Sequence, residues 1–170
     1  MQECPPGMIS SGKKWKLCVE KQTMSPMDDM WEIASKFCGL KLWMPELLVC
    51  ECVDGNESEP GCIRFCAGTK ASNNDRNLVW VKEQLLEWDP RLREFSYSIL
   101  DSNLGFKNYT ASFSLSDPCN NGHALVTWKV ELSPVHGYDE EEFLVYMGRL
   151  LERNIINLER VSCSLSSHER

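Results

Sequence analysis

The closing quarter of the chain constrains the fold most. From about Asp139 to Ser162, the residues Phe143, Met147, Leu150, Leu151, Asn154, Leu158 and Val161 recur at helical spacing. They form one nearly apolar stripe on a long helix. Asp139, Glu140, Glu141 and Glu142 fill its first turn, where the helix dipole favours negative charge. Such a helix needs a complementary apolar layer, and the preceding sequence supplies one with a period of two. Residues Ala124, Val126, Trp128, Val130 and Leu132 alternate with Thr127, Lys129 and Glu131. The same alternation puts Phe95, Tyr97 and Ile99 on one face, and Tyr109, Ala111, Phe113 and Leu115 on another.

Strands are expected over Lys14–Glu20, Val49–Asp54, Gly61–Gly68, Asn77–Trp88, Glu94–Leu100, Phe106–Leu115 and Ala124–Leu132. One apolar face per strand marks an antiparallel sheet covered on one side. The expected class is therefore α+β: a bent, seven-stranded antiparallel sheet around a long C-terminal helix. Two short helices follow the first strand. Ser25 is the expected N-cap of the first, with Pro26 at its first position and Asp28 completing a capping box. Trp31, Ala34, Ser35 and Cys38 would face inward, Gly39 would end the helix, and the second would stop before Pro45. A sheet bent around the long helix would leave a cavity between them.

At 170 residues the chain reads as a single domain over 13–163, with a loose segment at 1–12 and a loose tail at 164–170. A chain this long buries roughly 70% of its unfolded surface, enough for a core and an internal pocket. The net charge of −7 and the lack of a basic run argue against nucleic acid as a partner. No apolar run reaches the ~18 residues of a membrane span, and the N-terminal residues lack the apolar stretch of a signal peptide. A cytosolic protein with reduced thiols is expected, monomeric or weakly dimeric.

Glu83 stands out within this pattern. It shares the apolar face of its strand with Val79, Val81 and Leu85, while Trp80, Lys82 and Gln84 take the other. A carboxylate on an apolar face is costly unless it is paired, protonated or facing a wet cavity. Arg64 is the natural partner, since its planar guanidinium carries two donors for a carboxylate or an oxyanion. It shares a face with Cys62 and Cys66, and the pattern does not say whether that face or the one with Ile63 and Phe65 is inward. Tyr97 and Tyr109 lie on apolar faces, where their hydroxyls can donate to a developing oxyanion. Two readings stay open: an acid–base site of Glu83, Arg64, Tyr97 and Tyr109, or a buried ion pair with core tyrosines. Phe95, Phe113, Trp128, Phe143 and Met147 would line the cavity.

Nine cysteines invite a metal reading. Cys50 and Cys52 lie on one expected strand and Cys62 and Cys66 on the next, without C-x₂-C spacing and far from His123, His136 and His168. Small buried thiols are the expected outcome, with no metal and no organic cofactor. No cysteine has a readable histidine base for covalent catalysis.

Several stretches resemble lachrymatory factor synthases, a family within the START-like and birch pollen allergen superfamily. They are KKW at Lys13–Trp15, MPELLVCECVDGNE at Met44–Glu57, GCIRF at Gly61–Phe65, WVKEQL at Trp80–Leu85, FSYS at Phe95–Ser98 and GFKNYTA at Gly105–Ala111. The resemblance implies a helix-grip fold of the polyketide cyclase type. It places the family's catalytic carboxylate at Glu83, its arginine at Arg64 and two pocket tyrosines at Tyr97 and Tyr109. It implies a cofactor-free isomerase or lyase that moves a proton on a small hydrophobic organosulfur or oxygenated substrate, as in conversion of a sulfenic acid to a thial S-oxide. A hydroxynitrile lyase on this scaffold is similar around GCIR and GFKNY, and hormone-binding relatives carry hydrophobic ligands without catalysis. The chain departs from the synthases at HGYDEEE (His136–Glu142), in the cysteine-rich strands, and in the loop after Gly68.

Overall fold

A computed structural model describes residues 12–69 and 78–168. Its elements run β1 (Trp15–Pro26), α1 (Met27–Ala34), a 3₁₀ turn (Leu40–Leu42), β2 (Leu47–Asp54), β3 (Ile63–Thr69), β4 (Leu78–Asp89), β5 (Glu94–Ser102), β6 (Thr110–Ser116), β7 (His123–Leu132) and α2 (Glu140–Ser166). The seven strands form one antiparallel sheet in the order β1-β7-β6-β5-β4-β3-β2. After β1, the chain crosses through α1 to the far edge and then returns strand by strand to lie beside β1. The expected class is the observed one. The loose segment expected at 1–12 lies, but for Gly12, outside the described residues.

β7 matches its pattern: Ala124, Val126, Trp128, Val130 and Leu132 are all buried. Tertiary pairing moved other boundaries. The expected N-cap, Ser25, remains in β1, which pairs with β7 as far as Pro26 opposite His123. Ser25 is fully buried, with its Oγ 3.2 Å from Cys163 Sγ, and Pro26 takes the cap position without a side-chain bond. Helix α1 ends at Ala34, so its buried residues are Met30, Ile33 and Ala34 rather than the expected stripe, and only Ala34 is common to both. The second short helix is a single 3₁₀ turn. β6 begins at Thr110 rather than Phe106, because Gly105 and Asn108 adopt positive φ and cannot continue a strand.

The β2–β3 and β4–β5 pairings each slip register at two points, and each of these four slips leaves one residue extra. Leu48, Val53, Leu86 and Leu100 are those residues, and all four point outward despite being apolar. A bulge bends its strand and shifts the inward face by one residue. Trp88 shows the effect: simple alternation puts it outside with Trp80 and Gln84, but the bulge at Leu86 turns it inward. There its ring lies 6.0 Å from Trp31, and its Nε1 donates to Ser35 O at 3.3 Å.

Asp139 caps α2 through its side chain, accepting from the Glu142 N–H at 3.1 Å. The inward stripe is Phe143, Met147, Leu151, Asn154, Ile155, Leu158 and Ser162. Phe143 and Leu158 are buried as expected. Leu150 and Val161 flank the stripe and are only half-buried. The helix runs through Ser166, past its expected end, with Ser166 Oγ donating to Asp29 at 2.6 Å. Among the described residues, no helix is long and apolar enough to cross a membrane.

Candidate functional site

Three adjacent strands bring Arg64, Glu83 and Tyr97 together. Arg64 on β3 lies directly opposite Glu83 on β4, and Tyr97 on β5 lies opposite Leu85, two residues further along β4. Side chains two apart on a strand share a face, so all three point inward. Arg64 is 3% exposed and Glu83 7%. Arg64 Nε donates to Glu83 Oε2 at 2.6 Å, and its Nη1 donates to the Phe37 carbonyl at 2.5 Å. The guanidinium also lies 3.9 Å from the Phe37 ring centroid and 5.1 Å from that of Tyr97. The charge is thus held by a carboxylate, a carbonyl and two aromatic faces.

Tyr109 enters from the turn before β6, its ring centroid 6.5 Å from that of Tyr97. Trp128 Nε1 on β7 donates to the Tyr97 hydroxyl at 3.2 Å. The four expected site residues are therefore buried in one region of the sheet. Of the expected lining residues, Phe95 and Trp128 adjoin Tyr97, and Phe113 joins them: Phe95 stacks on Phe113 at 5.2 Å, and Phe113 meets Trp128 edge-on at 5.4 Å. Phe143 approaches through Phe106, which stacks on Tyr109 at 5.7 Å. Met147 is buried on the inward stripe of α2.

Sequence periodicity missed three contributors. Phe37 lies in the irregular segment after α1 and supplies both a carbonyl and a ring to Arg64. Trp43 packs on Trp128 at 6.0 Å, and Phe106 lies in a loop. Each lay inside an expected element but off its inward face: Phe37 and Trp43 in the two short helices, and Phe106 at the start of a strand, on the face opposite Tyr109.

Burial by itself would lower the Arg64 pKa, but the adjoining Glu83 carboxylate, with Cys66 and Tyr97, holds it above its usual range. Burial, reinforced by the Glu83 charge, pushes the Tyr97 phenol above its ordinary 10.0. Burial and the neighbouring Tyr97 hydroxyl do the same for Tyr109. Both tyrosines are therefore neutral donors at physiological pH.

Around Tyr97 lie the aromatic side chains of Phe37, Phe95, Tyr109 and Trp128. Two open grooves lie elsewhere, one of about 830 Å³ between β1 and α2, the other of about 760 Å³ across the outward face of the sheet. Neither is lined by Arg64, Glu83, Tyr97 or Tyr109. Polar atoms point inward nonetheless: Trp43 Nε1, Asn154 Oδ1 and Ser162 Oγ are buried and lack a hydrogen-bond partner among the described residues. Such atoms mark places for a water or the polar end of a ligand.

The family model described as polyketide cyclase/dehydrase and lipid transport matches residues 15–162. The chain belongs to this family. The match spans every element from β1 to the last turns of α2, including all four inward polar residues of the site. The family's description joins cyclase and dehydrase chemistry to lipid transport, and does not single out one reaction.

Solved structures share the family's fold at low identity. The XoxI protein of Bacillus cereus superposes with a TM-score of 0.72 at 17% identity, covering 89% of this chain and 97% of that one. A Thermobifida fusca protein gives 0.71 at 18%, covering 88% and 94%. The ginseng major latex-like protein 151 from Panax ginseng gives 0.69 at 17%, covering 88% and 97%.

Proposed function

We propose that this member of the polyketide cyclase/dehydrase and lipid transport family is a cofactor-free isomerase or lyase. It would move a proton on a small hydrophobic substrate bearing a sulfenic acid or another polarised oxygen. One observation carries this reading. Arg64 binds Glu83 through Oε2, no hydrogen bond falls on Oε1 among the described residues, and the side chain keeps 10% of its exposure. A carboxylate oriented through one oxygen leaves the other for a substrate proton. Glu83 takes the proton from oxygen and returns it to carbon. Arg64 orients the carboxylate, and the neutral Tyr97 and Tyr109 hydroxyls donate to the oxygen as charge develops. The motifs shared with lachrymatory factor synthases support the same assignment.

Carriage of a hydrophobic ligand without turnover is the second reading. It is favoured by the aromatic packing around Tyr97 and by two grooves whose linings do not include the ion pair. The discriminating experiment incubates the protein with an alkenyl cysteine sulfoxide and its lyase, and separately with cyanohydrins. Formation of a thial S-oxide, or release of cyanide, above the rate with Glu83→Gln is the expected result. Saturable binding of a hydrophobic ligand without conversion of either substrate supports carriage.

A further inference from the structure

The cysteines regroup on folding. The strand pattern pairs Cys50 with Cys52 and Cys62 with Cys66, but the structure adds Cys38, from the segment after α1, and sorts the thiols differently. Cys38, Cys52 and Cys62 form one group, with all three sulfurs within 4.8 Å of one another. Cys66 instead donates to Cys50 at 3.3 Å, and Cys50 donates to the Cys38 carbonyl at 3.2 Å. We propose that Cys38, Cys52 and Cys62 are a binding site for a thiophilic divalent cation, zinc foremost.

The spacing of the sulfurs is the first argument. A zinc–thiolate bond of about 2.3 Å in a tetrahedron separates two ligand sulfurs by about 3.8 Å. The Cys38–Cys62 and Cys52–Cys62 separations are 3.9 and 3.7 Å. Small displacements of Cys38 and Cys52 about Cys62 complete a three-sulfur face. The fourth position is left to water or to the carboxylate of Glu57, whose Oε1 accepts from the Cys38 N–H at 2.8 Å.

The backbone around the thiols is the second. Cys62 and the preceding Gly61 are both tied to Leu85 of β4: Gly61 N–H donates to Leu85 O at 2.7 Å, and Leu85 N–H donates to Cys62 O at 2.8 Å. The loop from Asp54 turns back onto Cys62 through Gly55, which has φ +74°. A Cβ at Gly55 would lie 3.0 Å from Cys62 Cα, so glycine permits both the turn and the close approach. Ligands held in place before the metal arrives lose little freedom on binding it. Cys52 is exposed and Cys62 buried, which gives a route in and an anchored base.

The site has a structural consequence. Cys38 adjoins Phe37, whose carbonyl and ring hold Arg64. A metal joining Cys38 to the β2–β3 hairpin would pin that segment over the Arg64–Glu83 pair. The proposal is independent of any reaction at Glu83.

Cobalt(II) tests it, using the reduced, metal-stripped full chain. Equimolar cobalt should give a thiolate-to-cobalt charge-transfer band and the visible bands of a tetrahedral ion, saturating at one equivalent and displaced by zinc. Zinc should raise the thermal midpoint of the wild type. Cys52→Ser changes an exposed residue and leaves the core intact. It should weaken cobalt binding by more than the roughly 10–100-fold typical of outer-shell changes, and abolish the zinc-induced stabilisation. Cys18→Ser, an exposed thiol on β1 at the far edge of the sheet, should behave as wild type. Absence of the charge-transfer band, uptake without saturation, or equal binding by Cys52→Ser would each overturn the site.

Discussion

Arg64 Nε lies 2.6 Å from Glu83 Oε2 across directly opposed positions of β3 and β4, with both side chains all but withdrawn from water. Neither charge is tolerable there alone. Together, with the Phe37 carbonyl and two aromatic faces, they form a polar island in an apolar interior. The cost of breaking such a pair exceeds the net value of having it, because one ion remains buried without its counter-charge.

Glu83→Gln should therefore lose both activity and stability. Removing the proton acceptor should lower turnover by about 10² to 10⁴-fold on any true substrate. Leaving the Arg64 cation unbalanced should lower unfolding free energy by about 3 kcal/mol, read from urea denaturation. Arg64→Met combined with Glu83→Leu should recover most of that stability without recovering activity. A single Glu83→Gln variant as stable as wild type would show that the pair is not the electrostatic unit described.

Arg64→Lys should fail as well, despite keeping its charge. The guanidinium bonds Glu83 and Phe37 O at once and packs over the Phe37 and Tyr97 rings, which a lysine ammonium cannot reproduce. Expected outcomes are a lower thermal midpoint and loss of turnover, with circular dichroism unchanged at low temperature.

Tyr97 and Tyr109 should resist ionisation. Burial holds both phenols above the ordinary 10.0, so their neutral forms favour the folded state. By linkage, this contribution is full below pH 10.0 and is lost as pH rises above it. In a spectrophotometric titration, two of the four tyrosines should ionise only when the fold opens in alkali. Tyr97→Phe with Tyr109→Phe should leave no such late step. Four phenols titrating together in the folded protein would contradict the buried placement.

Gly68→Ala tests the packing of the β2 edge. A Cβ at Gly68 would sit 2.7 Å from the backbone oxygen of Glu46, and backbone cannot swing aside as a side chain can. The expected loss is about 1–3 kcal/mol, typical of overpacking, measured as a lower urea midpoint with unchanged slope. A neutral substitution would mean that the strand ends separate more readily than the register implies.

The sequence by itself determined the sheet-and-helix architecture and the direction of Glu83. Alternation and helical spacing are local properties, written in consecutive residues, and Glu83 to Leu85 happens to lie between two bulges where alternation holds. Tertiary structure decided what alternation could not carry. Bulges at Leu86 and Leu100 are set by pairing between strands, so the inward turn of Trp88 had no local signal. Arg64 had two plausible faces, because half-buried Ile63 and Phe65 flank it, and only its register against β4 placed it opposite Glu83. Ser25 had every mark of a helix cap, yet continued pairing of β1 with β7 kept it in the sheet. Phe37 and Cys38 had a helical pattern around them, but α1 ends at Ala34, and they reach Arg64 and the Cys52–Cys62 thiols because the chain after α1 crosses to the far edge of the sheet. Periodicity tells each side chain which way to point, but distances between residues far apart in sequence arise only when strand register, bulges and crossings are settled together.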